Sequence, residues 1–412
     1  MGTAFSTALS ALNADSTAID VVGNNLANLN TTGFKASTVD FSDLMAEQLG
    51  TGTSNGQVGV GVGQVAAVQQ FSQGSITTSS SGLDAAMQGN GFFVVTDANN
   101  NQLYTRDGSF QLSSTGVLQT QTGQDVQGWM ATNGVVNPNG ATTNLTMPVG
   151  STIPPQATAN MSLAVNLNSA TATNGTFTSP ITVYDTLGQS HTLTVTFTQT
   201  SPANWNYDVD LPAADLLPGS ATSVGSGALS FGPNGQLVSP SPGAPISIAI
   251  GNLADGANTQ NINWNIFDAS GNSMVTQYAQ ASATSNPVQD GYAAGQISQV
   301  SIQNGGTLVA TYTNGQQVTM GQLAVASIAN PSSLVQVGDN NLQASASTAQ
   351  AAIGAAGTGG NGSIQGGALE ASTTDMAAEF THLLSYERSY QAASRVITTS
   401  DQLAQETVNL IH

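Results

Sequence analysis

The residues of this chain that could do chemistry are few, and the clearest are two neighbouring carboxylates. Asp208 and Asp210 form a D-x-D pattern, which could hold a divalent cation or serve in glycoside hydrolysis. The glycine and the distal glutamate of an EF-hand are missing, so the pattern favours two acids on a solvated strand edge. Asp97, two residues before Asn99, resembles a calcium loop only loosely, and a plain turn is the favoured interpretation.

No set of residues forms a recognisable catalytic pattern. The three histidines, His191, His382 and His412, fall in a predicted strand, in a predicted helix and at the last position. No HExxH, GxSxG or P-loop pattern occurs. The alternating glycines from Gly59 to Gly63 lack the strand and helix that a dinucleotide site needs. The sequence therefore predicts no enzyme activity, no cofactor and no bound metal.

Positive charge is scarce in this chain. Twenty-three acids outnumber four cations, which gives a net charge of −19 and predicts repulsion from nucleic acid and anionic membranes. The cations are Lys35, Arg106, Arg388 and Arg395. Arg388 and Arg395 share one face of a predicted helix, where we expect solvent-exposed or inter-subunit ion pairs with acids such as Glu379 or Asp20. The alternative is that these two arginines line a pore.

Composition also bears on the compartment. Charged residues make up only 7% of the chain, and cysteine is absent, so no disulfide or thiolate chemistry is available. No run of 18 apolar residues predicts a membrane span. The N-terminus has neither the basic nor the apolar region of a signal peptide. If the protein acts outside the cell, we expect export without a cleaved leader.

The two ends of the chain carry its only long helical patterns, with seams spaced alternately three and four residues apart. The N-terminal seam comprises Phe5, Leu9, Leu12, Ser16, Ile19, Gly23 and Leu26. The C-terminal seam comprises Leu383, Tyr386, Tyr390, Ala393, Ile397, Ser400, Ala404, Thr407 and Ile411. A second helix from about residue 373, with Ser372 and Asp375 at its start, would be about 58 Å long. We expect these helices to bundle with copies of themselves, and an ordinary two-helix hairpin is the alternative.

Between the helices the sequence predicts β-structure. Strands are expected at residues 91–95, 102–105 and 109–112, and hairpins at 181–184 with 193–197 and at 300–302 with 308–312. Residues 354–367 are rich in glycine and are interpreted as a linker to the second helix. The tryptophans Trp129, Trp205 and Trp264 fall in these β-regions, where core positions are favoured over a carbohydrate platform.

The predicted fold is multidomain, with mainly β outer domains of sandwich or barrel type. The N- and C-terminal helices are expected to pair as a coiled-coil-like inner domain. The expected divisions are residues 1–30 with 373–412 as the helical domain, 31–70 with 354–372 as a bridging segment, 71–147 with 287–353 as one β-domain, and 148–286 as an inserted outer β-domain.

Three segments resemble the family of axial flagellar proteins of bacteria, which builds the rod, the hook and the hook-associated junctions. They are the run from Asn24 to Lys35, the stretch from Leu83 to Phe110, and the stretch from Gly366 to Gln391. The motif residues that carry the resemblance are Asn24, Asn25, Asn28, Gly33, Phe34, Gly91, Phe92, Leu369 and Glu370. Short rod proteins of this family lack a block like residues 160–285, which favours a hook subunit over the distal rod protein.

The resemblance implies a structural protein that forms a curved, torque-transmitting tube between filament and basal body. It implies secretion by the flagellar type III export apparatus and helical self-assembly outside the cell, with the terminal helices innermost. The packing residues would then be Phe5, Leu9, Leu12, Ile19, Leu26, Leu383, Tyr386, Tyr390, Ile397 and Ile411. Implied partners besides other copies are the distal rod protein, the hook cap and the hook–filament junction proteins. A secreted surface adhesin is the alternative from another class.

Overall fold

The computed structural model describes residues 2–44, 47–48, 57–58, 61–63, 65–148, 150–243 and 245–409. Ile411, His412 and most of the Gly-rich stretch 50–63 lie outside the described residues. The chain forms two compact units. The first comprises residues 1–149, 299–311 and 317–412, and the second comprises residues 150–298 and 312–316.

Two long helices of the first unit lie at the chain ends, as the sequence predicts. Helix α1 spans Gly2–Ala27 and helix α2 spans Met376–Asn409. The start of α2 differs slightly from the prediction, because Asp375 rather than Ser372 caps it. Its Oδ1 accepts hydrogen bonds from the N–H groups of Ala377 and Ala378, at 2.8 and 3.1 Å. No helix within the described residues is long and apolar enough to span a membrane.

The two helices pack against each other in antiparallel orientation, since the end of α1 meets the start of α2. The buried positions of α1 are mostly small, and from Asp15 onward they recur three or four residues apart. They are Ala8, Ala14, Asp15, Ala18, Val22 and Asn25. Small side chains let two helix backbones approach closely. The fully buried stripe of α1 is thus a different one from the large-residue seam that the sequence suggested.

Short strands connect α1 to the second unit. They are β1 (Ser37–Asp40), β2 (Glu47–Gln48), β3 (Gln57–Val58), β4 (Ala66–Gln69), β5 (Ile76–Thr78), β6 (Ala85–Gln88), β7 (Phe92–Thr96), β8 (Gln102–Thr105), β9 (Phe110–Leu112), β10 (Leu118–Thr120), β11 (Asp125–Thr132), β12 (Val135–Val136) and β13 (Thr143–Asn144). The strands predicted at residues 91–95, 102–105 and 109–112 are therefore confirmed as β7, β8 and β9.

The second unit contains β14 (Thr152–Ile153), β15 (Asn160–Asn168), β16 (Thr176–Tyr184), β17 (Ser190–Ser201), β18 (Asn204–Asp210), β19 (Ser223–Phe231), β20 (Leu237–Ser239), β21 (Ile246–Ile250), β22 (Gln260–Asn265), β23 (Val275–Tyr278) and β24 (Ala283–Gln289). The chain continues with β25 (Gly295–Ile302), β26 (Thr307–Tyr312), β27 (Gln317–Leu323), β28 (Val325–Ser327), β29 (Val335–Gly338), β30 (Asn341–Gln343), β31 (Ala352–Gly354), β32 (Ser363–Gly366) and β33 (Ala368–Glu370).

The β-part of the first unit is built around a sheet with the order β26-β27-β11-β7-β8-β30-β29. Both faces of β7 are covered, because Phe93 and Val95 join one buried cluster while Phe92 and Val94 join another. Near the helices, β33 pairs with β5 and β32 pairs with β6. The Gly-rich stretch predicted as a linker therefore ends in two paired strands. Glycine is needed there, since a Cβ on Gly366 would lie 2.0 Å from the Ile302 carbonyl oxygen.

The second unit is a β-sandwich. One sheet has the order β16-β17-β18-β19-β20, and the other has the order β21-β22-β15-β23, with β24 also paired to β15. Alternate residues of each strand point inward and form one core, which contains Trp205 and Trp264 with no exposed surface. The predicted hairpin is confirmed as β16 and β17, with Ile181 opposite Leu193. Trp129 is buried in the first unit, so all three tryptophans occupy core positions.

Candidate functional site

A buried ionic cluster lies in the first unit beside the entry to both helices. The carboxylate of Glu370 has no exposed surface and lies 2.6 Å from the Lys35 ammonium and 3.2 Å from the Arg106 guanidinium. The side-chain amide of Gln73 and the backbone N–H of Gly74 also donate to Glu370 Oε1, at 3.0 and 2.7 Å. These four donors satisfy the carboxylate, which is the condition under which a charge can stay buried. We call this cluster the ionic junction.

The two cations of the ionic junction have further partners. Lys35 Nζ donates to the Ser72 carbonyl at 2.6 Å, and Arg106 Nη2 donates to the Gly89 carbonyl at 2.7 Å. The Arg106 guanidinium also lies 5.3 Å from the centre of the Phe92 ring, in cation–π range. Burial lowers the pKa of both Lys35 and Arg106, and the charge and hydrogen bond of Glu370 oppose that shift. Pairing with Glu370 therefore holds both cations in their charged form.

The ionic junction ties together the three segments that carry the family resemblance. Lys35 follows α1, Arg106 follows β8, and Glu370 is the last residue of β33, shortly before α2. The backbone N–H of Gly33 donates to the Glu370 carbonyl at 2.8 Å. Gly33 has φ +67°, and a Cβ there would lie 2.5 Å from the Arg106 carbonyl carbon, so only glycine fits. The end of α1 and the start of α2 are thus both connected to the β-structure at the ionic junction.

Asn25, Asn28 and Asn24 form the corner at the end of α1. Asn25 is 1% exposed; its amide donates to Glu379 Oε1 at 2.9 Å and to the Ser37 carbonyl at 2.8 Å, and its Oδ1 accepts the Ser37 N–H at 3.0 Å. The Asn28 amide donates to the backbone and side-chain oxygens of Asn24. The asparagines therefore fix the exit of α1 and join it to the first turn of α2.

The other motif residues pack the β-side of this corner. Phe34 is buried, and its carbonyl accepts the N–H of Thr373 at 3.1 Å. Phe92 packs edge-on against Phe71, with ring centres 5.6 Å apart. Gly91 has φ +134°, and Leu369 lies half-buried in β33. The motif residues therefore act on the placement of the helices and not on a reacting group.

The helix residues predicted to pack between subunits stay partly open within one chain. Phe5 and Leu9 are 45% and 43% exposed, and Tyr390 is 36% exposed. Leu12, Ile19, Leu26, Leu383, Tyr386 and Ile397 are half-buried. Ile411 lies outside the described residues. The predicted seam residues thus keep apolar surface available for a further partner.

Sequence reasoning missed a second apolar face, on α2. Its large side chains are about half exposed, and they are Met376, Phe380 and Leu384. The spacing of Met376, Phe380 and Leu384, four residues apart, was the signal that could have revealed it. A helix that is apolar on more than one face needs more than one partner. We call these three residues the open face of α2. Val396 and Leu403 are also about half exposed but lie on another side of the helix.

Arg388 and Arg395 are exposed on α2, and neither forms an ion pair within the described part of the chain. Asp20, one predicted partner, is exposed, and Glu379, the other, is buried against Asn25. The two arginines therefore remain available for charges outside their own chain.

The acidic patterns noted in the sequence are structural. Backbone N–H groups of Asn99 and Asn101 donate to Asp97 Oδ1, both at 2.8 Å, which is the predicted plain turn. The strand-edge interpretation of Asp208 and Asp210 is wrong, because β18 lies between β17 and β19 inside its sheet. Both acids lie half-buried on the face of β18 away from the core, since alternate residues point outward.

A histidine in the second unit is surrounded by three carboxylates, which sequence reasoning did not detect. His191 Nδ1 lies 3.0 Å from Asp215, and Nε2 lies 3.1 Å from Asp185 and 3.7 Å from Asp255. Asp185, His191 and Asp255 form the kind of group that could hold a metal ion. Both ring nitrogens already face carboxylates, however, so the arrangement suits a protonated imidazolium that joins three loops.

We expect the stability of the second unit to fall as pH rises through the pKa of His191. Burial acts to lower this pKa, but the hydrogen bonds and charges of Asp215 and Asp185 outweigh it, so the folded pKa is raised. A raised pKa gives a stabilisation that is complete below the unfolded value of about 6.5 and is lost above the folded one. Urea unfolding at several pH values should show a free energy of unfolding that falls as pH rises through this range. In His191→Gln this pH dependence should disappear, and parallel profiles for both proteins would contradict the assignment.

Comparison with known proteins supports one family throughout. Family models match residues 5–35 (flagella basal body rod protein), 86–167 (flagellar hook protein FlgE/F/G D1 domain), 156–292 (flagellar basal body protein FlaE D2 domain) and 365–410 (flagellar basal body rod FlgEFG protein C-terminal). The flagellar hook protein FlgE of Escherichia coli (strain K12) is 33% identical over 99% of this chain and 100% of its own length.

The chain belongs to the flagellar hook protein family. Two further hook proteins are similar over nearly the whole chain. That of Salmonella typhimurium is 33% identical over 98% of this chain and 99% of its own length, and that of Borreliella burgdorferi is 31% identical over 98% of each. This hook protein family is structural, and the chain is a structural subunit of the bacterial flagellar hook. The distal rod and adhesin alternatives are not favoured.

Proposed function

We propose that this hook subunit works by helical self-assembly in which the terminal helices supply the cohesion of the tube. The observation that carries the proposal is the apolar surface that the helix pair leaves uncovered. Phe5 and Leu9 on α1, and Phe380 and Leu384 on α2, are each more than 40% exposed. Within each pair the two side chains lie about one helical turn apart, and exposed apolar surface that is grouped in this way marks an interaction site in soluble proteins. The pairing of α1 with α2 within one chain leaves these side chains uncovered.

The ionic junction supplies the second property that a torque-transmitting tube needs. Subunits held together by their helices must pass force to their outer β-structure without bending at the connection. Glu370 joins the chain after α1, the chain after β8 and the chain before α2 through buried charges. A buried network of charged hydrogen bonds rigidifies the elements that it joins. We infer that the junction keeps the helices and β-structure of each first unit turning as one body.

The second unit is proposed to form the compliant contacts of the outer tube. Its two sheets face outward with small polar residues, mostly serine and threonine on β16 and β17 and mostly asparagine on β15 and β22. Polar surfaces bridged by water can slide at low cost, whereas dry apolar interfaces switch between discrete packings. A bent tube that rotates requires subunit contacts on its outside that can slide.

We propose that the domain roles follow the limits expected from the sequence. The helices would lie innermost, residues 31–70 and 354–372 would form the bridge, and the two β-domains would form the outer layers. The proposed partners are other copies of the chain, the distal rod protein, the hook cap, the hook–filament junction proteins and the flagellar export apparatus. We further propose that the chain is exported without a cleaved signal peptide and acts outside the cell. No cofactor, nucleic acid or catalytic step is part of this function.

Electron microscopy of basal structures from cells that lack this chain tests the proposed function. Complete rods and rings without a curved extension are expected. Basal bodies that also lack the distal rod would move the chain to the rod, and intact hooks with filaments would overturn the proposal. A glycan array with the purified chain separates the adhesin alternative, for which selective sugar binding would be required.

A further inference from the structure

A carboxylate on α1 is buried in the helix pair with one of its oxygens unpaired. Asp15 on α1 is 6% exposed, and no hydrogen-bond donor reaches its Oδ2 within the described residues. It lies on a cavity of about 330 Å³ that α1 and α2 line, with Ala11 and Ala14 on one side and Ser385 and Tyr386 on the other. A buried polar atom without a partner is costly, and an unpaired charge is more so.

Neighbouring acidic groups make an unpaired negative charge on Asp15 more unfavourable. Glu379, on the same helix pair, is also buried, and its Oε2 has no partner among the described residues. Burial raises the pKa of Tyr386, and the charges of Glu379 and Asp15 add to the shift. The cavity therefore lies in a region of negative charge that a cation would relieve.

The chain itself offers few cations for this role. Lys35 and Arg106 are buried on Glu370 in the ionic junction. The remaining two, Arg388 and Arg395, are exposed on α2 and form no ion pair within the described part of the chain. Arg388 follows Tyr386 by two residues and Arg395 by nine, which places both arginines on nearly the opposite side of α2 from Tyr386, where a second copy can be reached. An arginine fork suits a partly buried carboxylate better than any other side chain.

We propose that in the assembled hook a guanidinium from α2 of a second copy, Arg388 or Arg395, enters this cavity and pairs with Asp15. The inference rests on the proposed self-assembly and adds the residues that fix which copies meet. Apolar faces alone can pack in more than one discrete register, whereas a buried charge pair is satisfied in one register only. The carboxylate of Asp15 would thus be paired only when a neighbouring subunit is bound.

Site-specific crosslinking in assembled hooks tests the pair directly. The chain has no cysteine, so two single-cysteine versions, Asp15→Cys and either Arg388→Cys or Arg395→Cys, can be produced together in cells that lack the native chain. A short thiol-to-thiol crosslinker with the reach of an arginine side chain is then applied to isolated hooks. We expect crosslinked dimers for at least one arginine position, about tenfold above those for the exposed control Asp20→Cys.

Hooks of normal length that give no more dimer than the Asp20→Cys control at either arginine position would overturn the inference. Wild-type cells that form no hook from this chain would instead contradict the proposed function, so the two failures are distinguishable. Charge exchange provides the second readout. Asp15→Arg should reduce hook yield about tenfold or more, and Arg388→Glu or Arg395→Glu in the same chain should restore it. Failure of both exchanges to restore assembly would count against an ion pair.

Discussion

Replacing Glu370 with alanine is expected to lower the free energy of unfolding of the first unit by about 3–5 kcal/mol. The large effect follows because Lys35 and Arg106 would stay buried, at 2% and 5% exposure, with no anion between them. The backbone N–H of Gly74 would also lose its acceptor. Urea unfolding of the purified chain, followed by circular dichroism, measures the change.

Two matched variants make the Glu370 result specific. Glu370→Gln keeps the size and some hydrogen bonds of the side chain but not its charge. Its free energy of unfolding should therefore lie between those of the wild type and Glu370→Ala. Glu387→Ala removes an exposed acid of α2 and should change stability by less than about 0.5 kcal/mol. Glu370→Ala and Glu387→Ala unfolding at the same urea concentration would show that the junction does not hold the unit together.

Replacing Phe380 and Leu384 with serine is expected to prevent polymerisation while leaving the single chain as stable as before. Both side chains are about half exposed, at 49% and 53%, so the folded monomer gains little from them. Full burial of each against a neighbour contributes about 1.5–3 kcal/mol. Their loss should therefore raise the critical concentration of the purified chain about a hundredfold or more, as measured by sedimentation.

The control for the open face of α2 uses apolar residues that are exposed elsewhere. Val135 and Leu187 are 71% and 60% exposed, one in the first unit and one in the second. Serine at both positions should leave the critical concentration unchanged. Equal effects of the two double substitutions, or polymerisation of Phe380→Ser/Leu384→Ser at the wild-type concentration, would locate the cohesion elsewhere.

The elements of this fold could be predicted where a local pattern determines them. The terminal helices, β7, β8 and the β16–β17 hairpin each carry their own periodicity and turn residues. The buried stripe of α1 could not be predicted, because Ala8, Ala18 and Val22 compete with a seam of larger residues such as Phe5 and Leu9. A sequence shows that a helix has two apolar faces but not which of them its own chain covers.

The sites depended on contacts that no local pattern records. Lys35 and Glu370 are separated by 335 residues, and Arg106 and Glu370 by 264. The family resemblance marked Glu370 but could not tell that it pairs with two of the four cations. His191 was visible only as a histidine in a strand, because the carboxylates around it come from the turn before β17 and from two later loops.

The central claim is that cohesion of the tube resides in the helix pair and not in the second unit. It can be tested by deleting most of the second unit between two residues whose backbones already pair with each other. Gln156 and Tyr292 exchange backbone hydrogen bonds at 3.0 and 2.9 Å, so residues 157–291 can be replaced by a tight Asn-Gly turn.

The decisive measurement is electron microscopy of cells in which this shortened chain replaces the native one. The account predicts tubes that extend from the basal body, with the shortened chain as their subunit and with altered curvature. Folded, secreted shortened chain without any tube would contradict the account, because the outer unit would then carry the contacts assigned to α1 and α2.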